Sequence, residues 1–286
     1  METGPDAPVV DTHVHVASDD RSRFPLRPTG VGRQWWGGPG RDAAALLAEM
    51  DNAGVDRAVL VQPVGAYGYD NTYVLDAVAT SSERLCAVPA LDMDDPATDD
   101  RGVATGIRRL AEHPGVVGVR LFAVAPGSSW AEAPKRAQSA FSAAADAGVV
   151  LVLTVFAQHI GSLGPVLHDF PEVTVALDHC GFPELTGARL RPGSPLLGLR
   201  DAPSVVLKVT SHLLLAASAG GDPAELVSEL VGSFGADRLS WGSDHPQTGD
   251  DYPALVALAH AAVGDLAPDA RSAFFGGNAA RIFPAR

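Results

Sequence analysis

Aspartate and histidine residues recur at the ends of apolar segments in this sequence, with a spacing that suits metal binding or proton transfer. The segment VVDTHVHVAS places Asp11, His13 and His15 at alternate positions directly after an apolar pair. Alternate side chains of a strand point to the same side, so we expect these three to share one side. Two imidazoles held side by side can bind one divalent ion or donate to an anionic substrate.

Other apolar segments end in the same kinds of residue. Asp178 and His179 follow the segment VTVAL, and Asp244 and His245 come shortly after LSW. Two further segments contain a cationic side chain, Arg120 and Lys208. Polar residues that end several strands and converge on one face form the kind of site that a parallel barrel supports.

The elements that must position these residues are short apolar runs. Eight runs can be counted, at residues 8–10, 58–61, 85–90, 116–122, 149–155, 173–177, 205–209 and 239–241. They are rich in valine and leucine and do not alternate with polar residues. This pattern is typical of parallel strands that are buried on both faces.

Helical patterns lie between the runs, and several of them end in glycine just before the next run. The clearest are residues 41–54, 134–148 and 222–235. Eight such units in 286 residues predict an α/β protein, a (β/α)8 TIM barrel with a single domain over residues 1–286. Glycine- and proline-rich barrel loops are expected at residues 23–40, 91–100 and 181–195. A doubly wound open sheet is the alternative, but no glycine-rich phosphate turn follows an early strand.

Composition and net charge argue against several kinds of partner and location. The net charge of −13 argues against nucleic acid and anionic membrane surfaces as partners. The two cysteines, Cys86 and Cys180, lie in or beside apolar stretches and are expected to be reduced thiols. The first residues, METGPDAP, carry no secretory signal, and no run approaches the ~20 apolar residues of a membrane span. We therefore predict a cytoplasmic protein.

Several stretches together resemble a known family. They are DTHVH (11–15), MDNAGVDRAVLVQP (50–63), GVRLF (118–122), LDHCGFP (177–183), GSDHP (242–246) and NAARIF (278–283). In this order and spacing, they resemble the amidohydrolase superfamily over nearly the whole chain. More narrowly, they resemble the amidohydrolase-2 group, which includes sugar lactonases, the pyrone-dicarboxylate lactonase and related decarboxylases.

The resemblance implies roles for four residues in the barrel mouth. In metal-bearing members His13, His15 and Asp244 would hold one divalent ion such as Zn²⁺, and Asp244 would take a proton from the attacking water. His179 would polarise the substrate carbonyl or bind its oxyanion. The alternatives without a catalytic role are that Asp244 caps the following helix and that His179 is a buried, hydrogen-bonded histidine.

The chain departs from the metal-bearing pattern at the fifth strand. Those members usually add a histidine there, but LVLTVFAQHIG places Thr154 and Phe156 at the expected end. His159 comes several residues later, where we expect it to cap or begin the next helix. The lysine that bridges two metals in binuclear members is also missing. A site with one divalent metal and a metal-free site in which Asp244 acts as general base both stay open.

Substrate contacts are expected from a cation and from tryptophans. Arg120 either grips a carboxylate or ties strand ends together inside the barrel. Lys208 is expected to be structural, as an ion-pair partner of Asp178. Loop tryptophans at the barrel mouth would form an apolar wall around a ring-shaped substrate; these are Trp35, Trp36 and Trp130. His212 and His245 receive no role.

The leading functional prediction is hydrolysis of a carbonyl-centred bond in a small molecule, above all a lactone. The first alternative is non-oxidative decarboxylation; decarboxylating relatives often carry Glu-x-His in the first strand, whereas this chain has His-x-His. An isomerase or cyclase that uses the same acid and base is the second alternative. A binding protein on a barrel without activity is the third. A homodimer is an expectation from the family alone.

Overall fold

The structure, a computed structural model, describes residues 8–81, 83–124 and 130–284. The first strands are β1 (Val10–Val14), β2 (Arg57–Val61), β3 (Leu85–Val88), β4 (Ala90–Leu91), β5 (Gly118–Ala123), β6 (Val150–Val155) and β7 (Val175–Leu177). The remaining strands are β8 (Leu185–Thr186), β9 (Arg189–Leu190), β10 (Val205–Thr210) and β11 (Leu239–Gly242). β8 and β9 form a small antiparallel hairpin outside the main sheet, and Pro89 separates β3 from β4.

Helices alternate with the strands along the chain. They are α1 (Ala43–Ala53), α2 (Val64–Tyr67), α3 (Thr72–Thr80), α4 (Asp100–Ala111), α5 (Pro134–Ala147), α6 (Ile160–Asp169), α7 (Ser211–Ser218), α8 (Pro223–Phe234), α9 (Tyr252–Ala262), α10 (Pro268–Ser272) and α11 (Asn278–Ile282). Over residues 8–81, 83–124 and 130–284, every helix falls short of the length and apolar character that a bilayer crossing requires.

The glycines predicted to end helices α1 and α5 are found there, and the structure adds an N-cap that the sequence analysis did not name. Asp42 caps α1, its side chain accepting a hydrogen bond from the Ala45 amide at 2.8 Å. Gly54 and Gly148 follow α1 and α5 in the left-handed conformation, with φ of 70° and 59°. Glycine adopts this conformation without a Cβ penalty, so each helix stops and the chain turns into the next strand.

The strands close into a parallel barrel. β1, β2 and β3 pair in parallel, as do β4, β5, β6, β7, β10 and β11. The two sets of strands meet at two seams. At the seam between β3 and β5, the amide of Val117, directly before β5, donates to the Ala87 carbonyl at 3.0 Å. At the other seam the Asp244 amide donates to the His13 carbonyl at 2.7 Å, and the His15 amide donates to the His245 carbonyl at 2.8 Å. Both seams are bonded, so the predicted (β/α)8 barrel is confirmed and an open sheet is excluded.

The first strand differs from its predicted extent. The apolar run was placed at residues 8–10, but β1 begins at Val10 and continues to Val14, pairing with β2. The motif DTHV therefore forms the carboxyl-terminal part of the strand, as the argument from side-chain alternation assumed.

The barrel interior has an apolar layer below a charged one. Valines of several strands form the apolar layer, and Ile282 and Phe283 from the end of the chain pack against it. Strand alternation then places Thr154 two residues beyond Val152 and Lys208 two residues beyond Val206 on the same inner side. The strands thus carry polar side chains inside the barrel toward their carboxyl ends, where sites of this fold form.

Candidate active site

Four of the predicted site residues meet at the carboxyl end of the barrel. His13 and His15 come from β1, His179 follows β7, and Asp244 follows β11. The Asp244 Oδ1 atom lies 3.6 Å from His13 Nε2 and 3.4 Å from His15 Nε2. The rings of His13 and His179 have their centroids 4.8 Å apart. All four side chains are buried, so their interactions are weakly screened by water.

Three of these residues form the tightest group of possible metal ligands. In His13, His179 and Asp244, one ligand atom from each residue lies within 4.8 Å of the others. The sequence prediction had grouped His13, His15 and Asp244 instead. His15 remains beside Asp244 in the structure, so the predicted set and the tightest set share His13 and Asp244.

Asp11 does not share the side of the two histidines, contrary to the prediction. The pairing of β1 with β2 shifts register between Asp11 and Val14, as at a β-bulge. The extra residue breaks the simple alternation, so the Asp11 carboxylate meets helix α9, where it accepts a hydrogen bond from the Tyr252 hydroxyl at 2.9 Å. It also accepts the amides of His13 and Ser243, each at 2.9 Å. Asp11 therefore ties the strand that bears His13 to the loop that bears Asp244.

Removal of the Tyr252 hydroxyl is expected to weaken this tie. We expect Tyr252→Phe to lower the free energy of unfolding by about 1–3 kcal/mol, because a fully buried carboxylate loses one of its donors. Urea denaturation followed by circular dichroism measures the change. Tyr69→Phe, at a partly buried tyrosine, is the matched control and should shift stability by less than about 0.5 kcal/mol. Equal effects of the two substitutions would contradict the role of the Tyr252 hydroxyl.

The hydrogen bonds of the first-strand histidines orient their rings. His15 Nδ1 lies 2.7 Å from the Val61 carbonyl oxygen, which can only accept, so Nδ1 carries a proton. His13 Nδ1 lies 3.0 Å from Asp178 Oδ1, a carboxylate oxygen. The Nε2 atoms of both rings face the Asp244 carboxylate. Lys208 Nζ also lies 3.3 Å from His13 Nδ1, so this nitrogen faces an ammonium as well as a carboxylate.

Burial and charge set the protonation of the group. Burial holds the pKa of His13 well below its usual value, although Asp178 opposes the shift. Burial likewise lowers the pKa of His179 to about 4, against the pull of Asp244. Burial alone would raise the pKa of Asp244, but the surrounding histidines, His179 first, outweigh it and hold that pKa below its usual range. The Asp244 side chain is therefore a carboxylate at neutral pH, the form that can accept a proton.

Two of these residues occupy an uncommon backbone region. Asp244 has φ of 56° and His179 has φ of 53°. Left-handed φ values are uncommon for residues other than glycine, and such conformations concentrate at functional sites. The local backbone directs both side chains into the same space at the barrel mouth.

A buried charge network lies beneath the group. Asp178 is at its centre, with Oδ1 3.0 Å from Lys208 Nζ and Oδ2 3.0 Å from Arg120 Nε. The Thr154 hydroxyl donates to Oδ2 at 2.7 Å. Burial would raise the pKa of Asp178, but Lys208, His13 and Arg120 outweigh it and hold that pKa well below its usual value. The predicted ion pair between Lys208 and Asp178 is confirmed.

Arg120 takes one of the two roles that the sequence left open, and its binding of a substrate carboxylate stays a prediction. Its Nε is engaged with Asp178, and its Nη1 donates to the Gln62 carbonyl at 3.0 Å. It thus ties strand ends together. The same side chain also lines the cavity above the network, with its guanidinium carbon 4.9 Å from the Phe122 ring centroid.

A cavity of about 280 Å³ opens above the histidine and aspartate group. Trp35 and Trp36 line it, as predicted, and the Trp35 ring stacks at 6.2 Å from His15. Trp130 does not meet the prediction. Its side chain is fully buried below the surface and its Nε1 donates to the Phe122 carbonyl at 3.0 Å, so it packs the core rather than lining the cavity of the described residues.

Of three further histidines, His159, His212 and His245, one lines the cavity and two lie outside it. His212, near the start of α7, lines the cavity, and sequence reasoning gave it no role although it lies just past a barrel strand. His159 lies at the start of the helix after β6, as predicted, with Nδ1 3.2 Å from Glu132. His245 faces the outer helices, with Nε2 2.8 Å from Glu49 Oε2. Sequence reasoning also missed Phe182 and Gln247 in the lining.

Known proteins resemble this chain in both sequence and fold. L-fucono-1,5-lactonase from Burkholderia ambifaria is 28% identical over 290 residues, covering 96% of this chain and 94% of that protein. A zinc-bound amidohydrolase structure from Burkholderia multivorans has a TM-score of 0.73 at 20% identity, covering 98% of this chain and 100% of that one. The structure of a probable 2-pyrone-4,6-dicarboxylic acid hydrolase from Acinetobacter baumannii, with citric acid bound, has a TM-score of 0.72 at 18% identity, covering 96% and 98%.

The family model described as amidohydrolase matches residues 10–285, almost the full length of the chain. The two solved structures agree with it in fold. The resemblance seen in the sequence motifs is therefore confirmed, and the chain belongs to the amidohydrolase family.

Proposed function

We propose that this protein hydrolyses a lactone, with Asp244 as the base that activates water. The observation that supports this proposal is the position of the Asp244 carboxylate, buried at the floor of the cavity within 3.6 Å of two histidine Nε2 atoms. The similarity to L-fucono-1,5-lactonase supports an ester ring as the bond that is opened. A carboxylate held beside the reacting atoms contributes about 10²–10⁴-fold to rate as general base.

The other residues of the site have roles that follow from their positions. Asp244 accepts a proton from the attacking water and later returns it to the ring oxygen that leaves. His179, with Nδ1 2.8 Å from the Thr210 hydroxyl, is oriented to present its other nitrogen to the cavity. As a donor from that nitrogen, neutral His179 stabilises the negative charge that develops on the carbonyl oxygen.

The donor set also fits one divalent metal ion. His13 Nε2 is buried without a hydrogen-bond partner, and its Nδ1 contacts a carboxylate, the arrangement found behind metal-bound histidines. We propose that His13, His15 and Asp244 hold the ion, while His179 donates to the substrate oxygen. A bound Zn²⁺ would lower the pKa of a coordinated water to about 7.

Metal content tests this part of the proposal. We expect protein purified without chelator to contain close to one equivalent of zinc per chain, measured by plasma mass spectrometry. Chelation should lower the melting temperature, because an ion bound only to the folded state adds about 2.7 kcal/mol at a free concentration 100-fold above its Kd. His13→Gln should lose the metal, whereas His212→Gln, in the same cavity, should keep it. Full activity and unchanged melting after complete metal removal would favour the metal-free base mechanism.

A lactone panel tests the reaction itself. Ring opening releases a proton, so a weakly buffered pH indicator reports hydrolysis of each lactone directly. We expect turnover of at least one δ- or γ-lactone that is lost in Asp244→Asn. Release of carbon dioxide from aromatic acids, without lactone opening, would instead identify a decarboxylase.

Cytoplasmic location and a homodimer are further proposals. Cys86 and Cys180 are buried free thiols, and burial raises the pKa of the Cys86 thiol to about 12. Unpaired, unreactive thiols are typical of proteins from reducing compartments. Cell fractionation tests the location, and sedimentation velocity tests the dimer.

A further inference from the structure

We propose that the lactone substrate carries an alkyl or aryl substituent and is neither a polyhydroxylated sugar lactone nor a polycarboxylate. This inference rests on the proposed lactone hydrolysis and names the class of substrate for the same site. It is drawn from how polar and apolar groups are distributed over the cavity lining.

Most polar groups of the lining lie at the reacting centre or are already engaged. His15, His179 and Asp244 form the catalytic floor. The Thr154 hydroxyl donates to Asp178 at 2.7 Å and accepts from Arg120 Nε at 2.7 Å. Two of the Arg120 nitrogens are likewise bound inside the barrel. In the described lining, only His212 and Gln247 add polar side chains away from this floor.

The walls are instead aromatic and aliphatic. Trp35 stacks beside His15 with an interplanar angle of 14°, and Phe182 lies 4.6 Å from the His179 ring. Phe156 lies 5.3 Å from Phe182, between centroids, and its side chain is 39% exposed, unusual for a phenylalanine. A substrate ring over the floor would therefore meet flat aromatic side chains on which a ring can stack.

These walls discriminate against polar substituents. Each sugar hydroxyl that enters loses its water, and a buried hydroxyl without a partner is strongly disfavoured. A second carboxylate would lie among aromatic rings, and Arg120 is the one arginine or lysine in the described lining. Burial of an unpaired carboxylate is more unfavourable still. An apolar substituent loses no hydrogen bonds to water on entering the cavity. It also covers the exposed ring of Phe156.

The size of the cavity indicates a small substrate with room for one substituent. Its volume of about 280 Å³ is at the lower limit of ligand cavities. A second cavity of about 530 Å³ adjoins it and shares Phe156 and Phe182 in its lining. A substituent that outgrows the first cavity therefore passes across these two rings.

A chain-length series of δ-lactones tests the inference. We expect kcat/KM to rise about fourfold for each added methylene until the cavity is full, because each buried methylene contributes a constant transfer free energy. L-Fucono-1,5-lactone and 2-pyrone-4,6-dicarboxylate should be poor substrates under the same conditions. A flat or falling series, or a higher kcat/KM with either polar lactone, would overturn the inference.

Substitution of one wall residue tests which surface of the cavity binds the apolar substituent. Phe156→Ser should reduce the gain per methylene to about twofold, because a polar side chain replaces one apolar wall. Phe170→Ser, at a partly buried phenylalanine on the outer layer, is the matched control. It should lower stability but leave the gain per methylene unchanged. An equal gain in kcat/KM per methylene in Phe156→Ser and in the unmodified protein would show that Phe156 does not contact the substituent.

Binding of δ-lactams separates this inference from the proposed reaction. Alkyl δ-lactams resist hydrolysis, and their affinity can be measured by isothermal titration calorimetry. If no lactone is opened but lactam affinity rises with chain length, the proposed hydrolysis fails and the apolar substrate class stands. If lactones are opened but neither their kcat/KM nor lactam affinity depends on chain length, the hydrolysis stands and the substrate class is wrong.

Discussion

Asp244→Asn is expected to lower kcat by on the order of 10³-fold, within the range for a positioned general base. The amide keeps the shape of the side chain but cannot accept the proton of the attacking water at neutral pH. It also removes the negative charge that lies 3.4 Å from His15 Nε2 and 3.6 Å from His13 Nε2. Steady-state kinetics on the best lactone of the panel measures the change.

The matched control for this substitution is Asp250→Asn. Asp250 is exposed and six residues along the same segment, so the same chemical change should alter kcat by less than about twofold. Circular dichroism should show that both variants are folded. An Asp244→Asn enzyme with more than a tenth of the original kcat would remove Asp244 from the role of base.

Asp178→Asn is expected to lower the free energy of unfolding by about 3–5 kcal/mol, as for a broken buried ion pair. The substitution leaves Lys208 and Arg120, both buried, without the carboxylate that lies 3.0 Å from each. Urea unfolding monitored by tryptophan fluorescence measures the loss. An exposed pair gives the contrast: Asp146→Asn, opposite Arg108 at 2.8 Å, should cost less than about 1 kcal/mol.

A double substitution separates the buried charge from loss of packing. Asp178→Asn combined with Lys208→Met should recover part of the stability, because the uncompensated ammonium is gone. Recovery should be incomplete, since Arg120 still lacks its partner. A double variant no more stable than Asp178→Asn alone would indicate that packing, not charge, dominates the effect.

Much of the fold follows from local signals in the sequence. The buried valine-rich runs and the glycines that end the helices indicate parallel strands and their connections, and both were found. The ion pair of Lys208 with Asp178 was also predictable, because inner residues of neighbouring strands converge inside a barrel. These features depend on alternation and helix caps, which a sequence displays directly.

Features that depend on pairing between distant segments could not be predicted in the same way. The register shift in β1 directs Asp11 outward, and nothing in the alternation of DTHVH shows it. Trp130 was placed in the wall because its loop follows a strand, yet its indole is buried in the core. His212 and Phe182 were missed because cavity walls depend on loop shape, which residue types do not determine.

The closing seam of the barrel has a consequence for when the protein can become active. His13 and Asp244, bonded across that seam at 2.7 Å between carbonyl and amide, come from distant parts of the 286-residue chain. A nascent polypeptide still on the ribosome, with its eighth unit unmade, therefore lacks Asp244, the residue that we propose as the base. We expect activity only after ring closure, so a proteolytic fragment without β1 or without the chain after β11 should be inert.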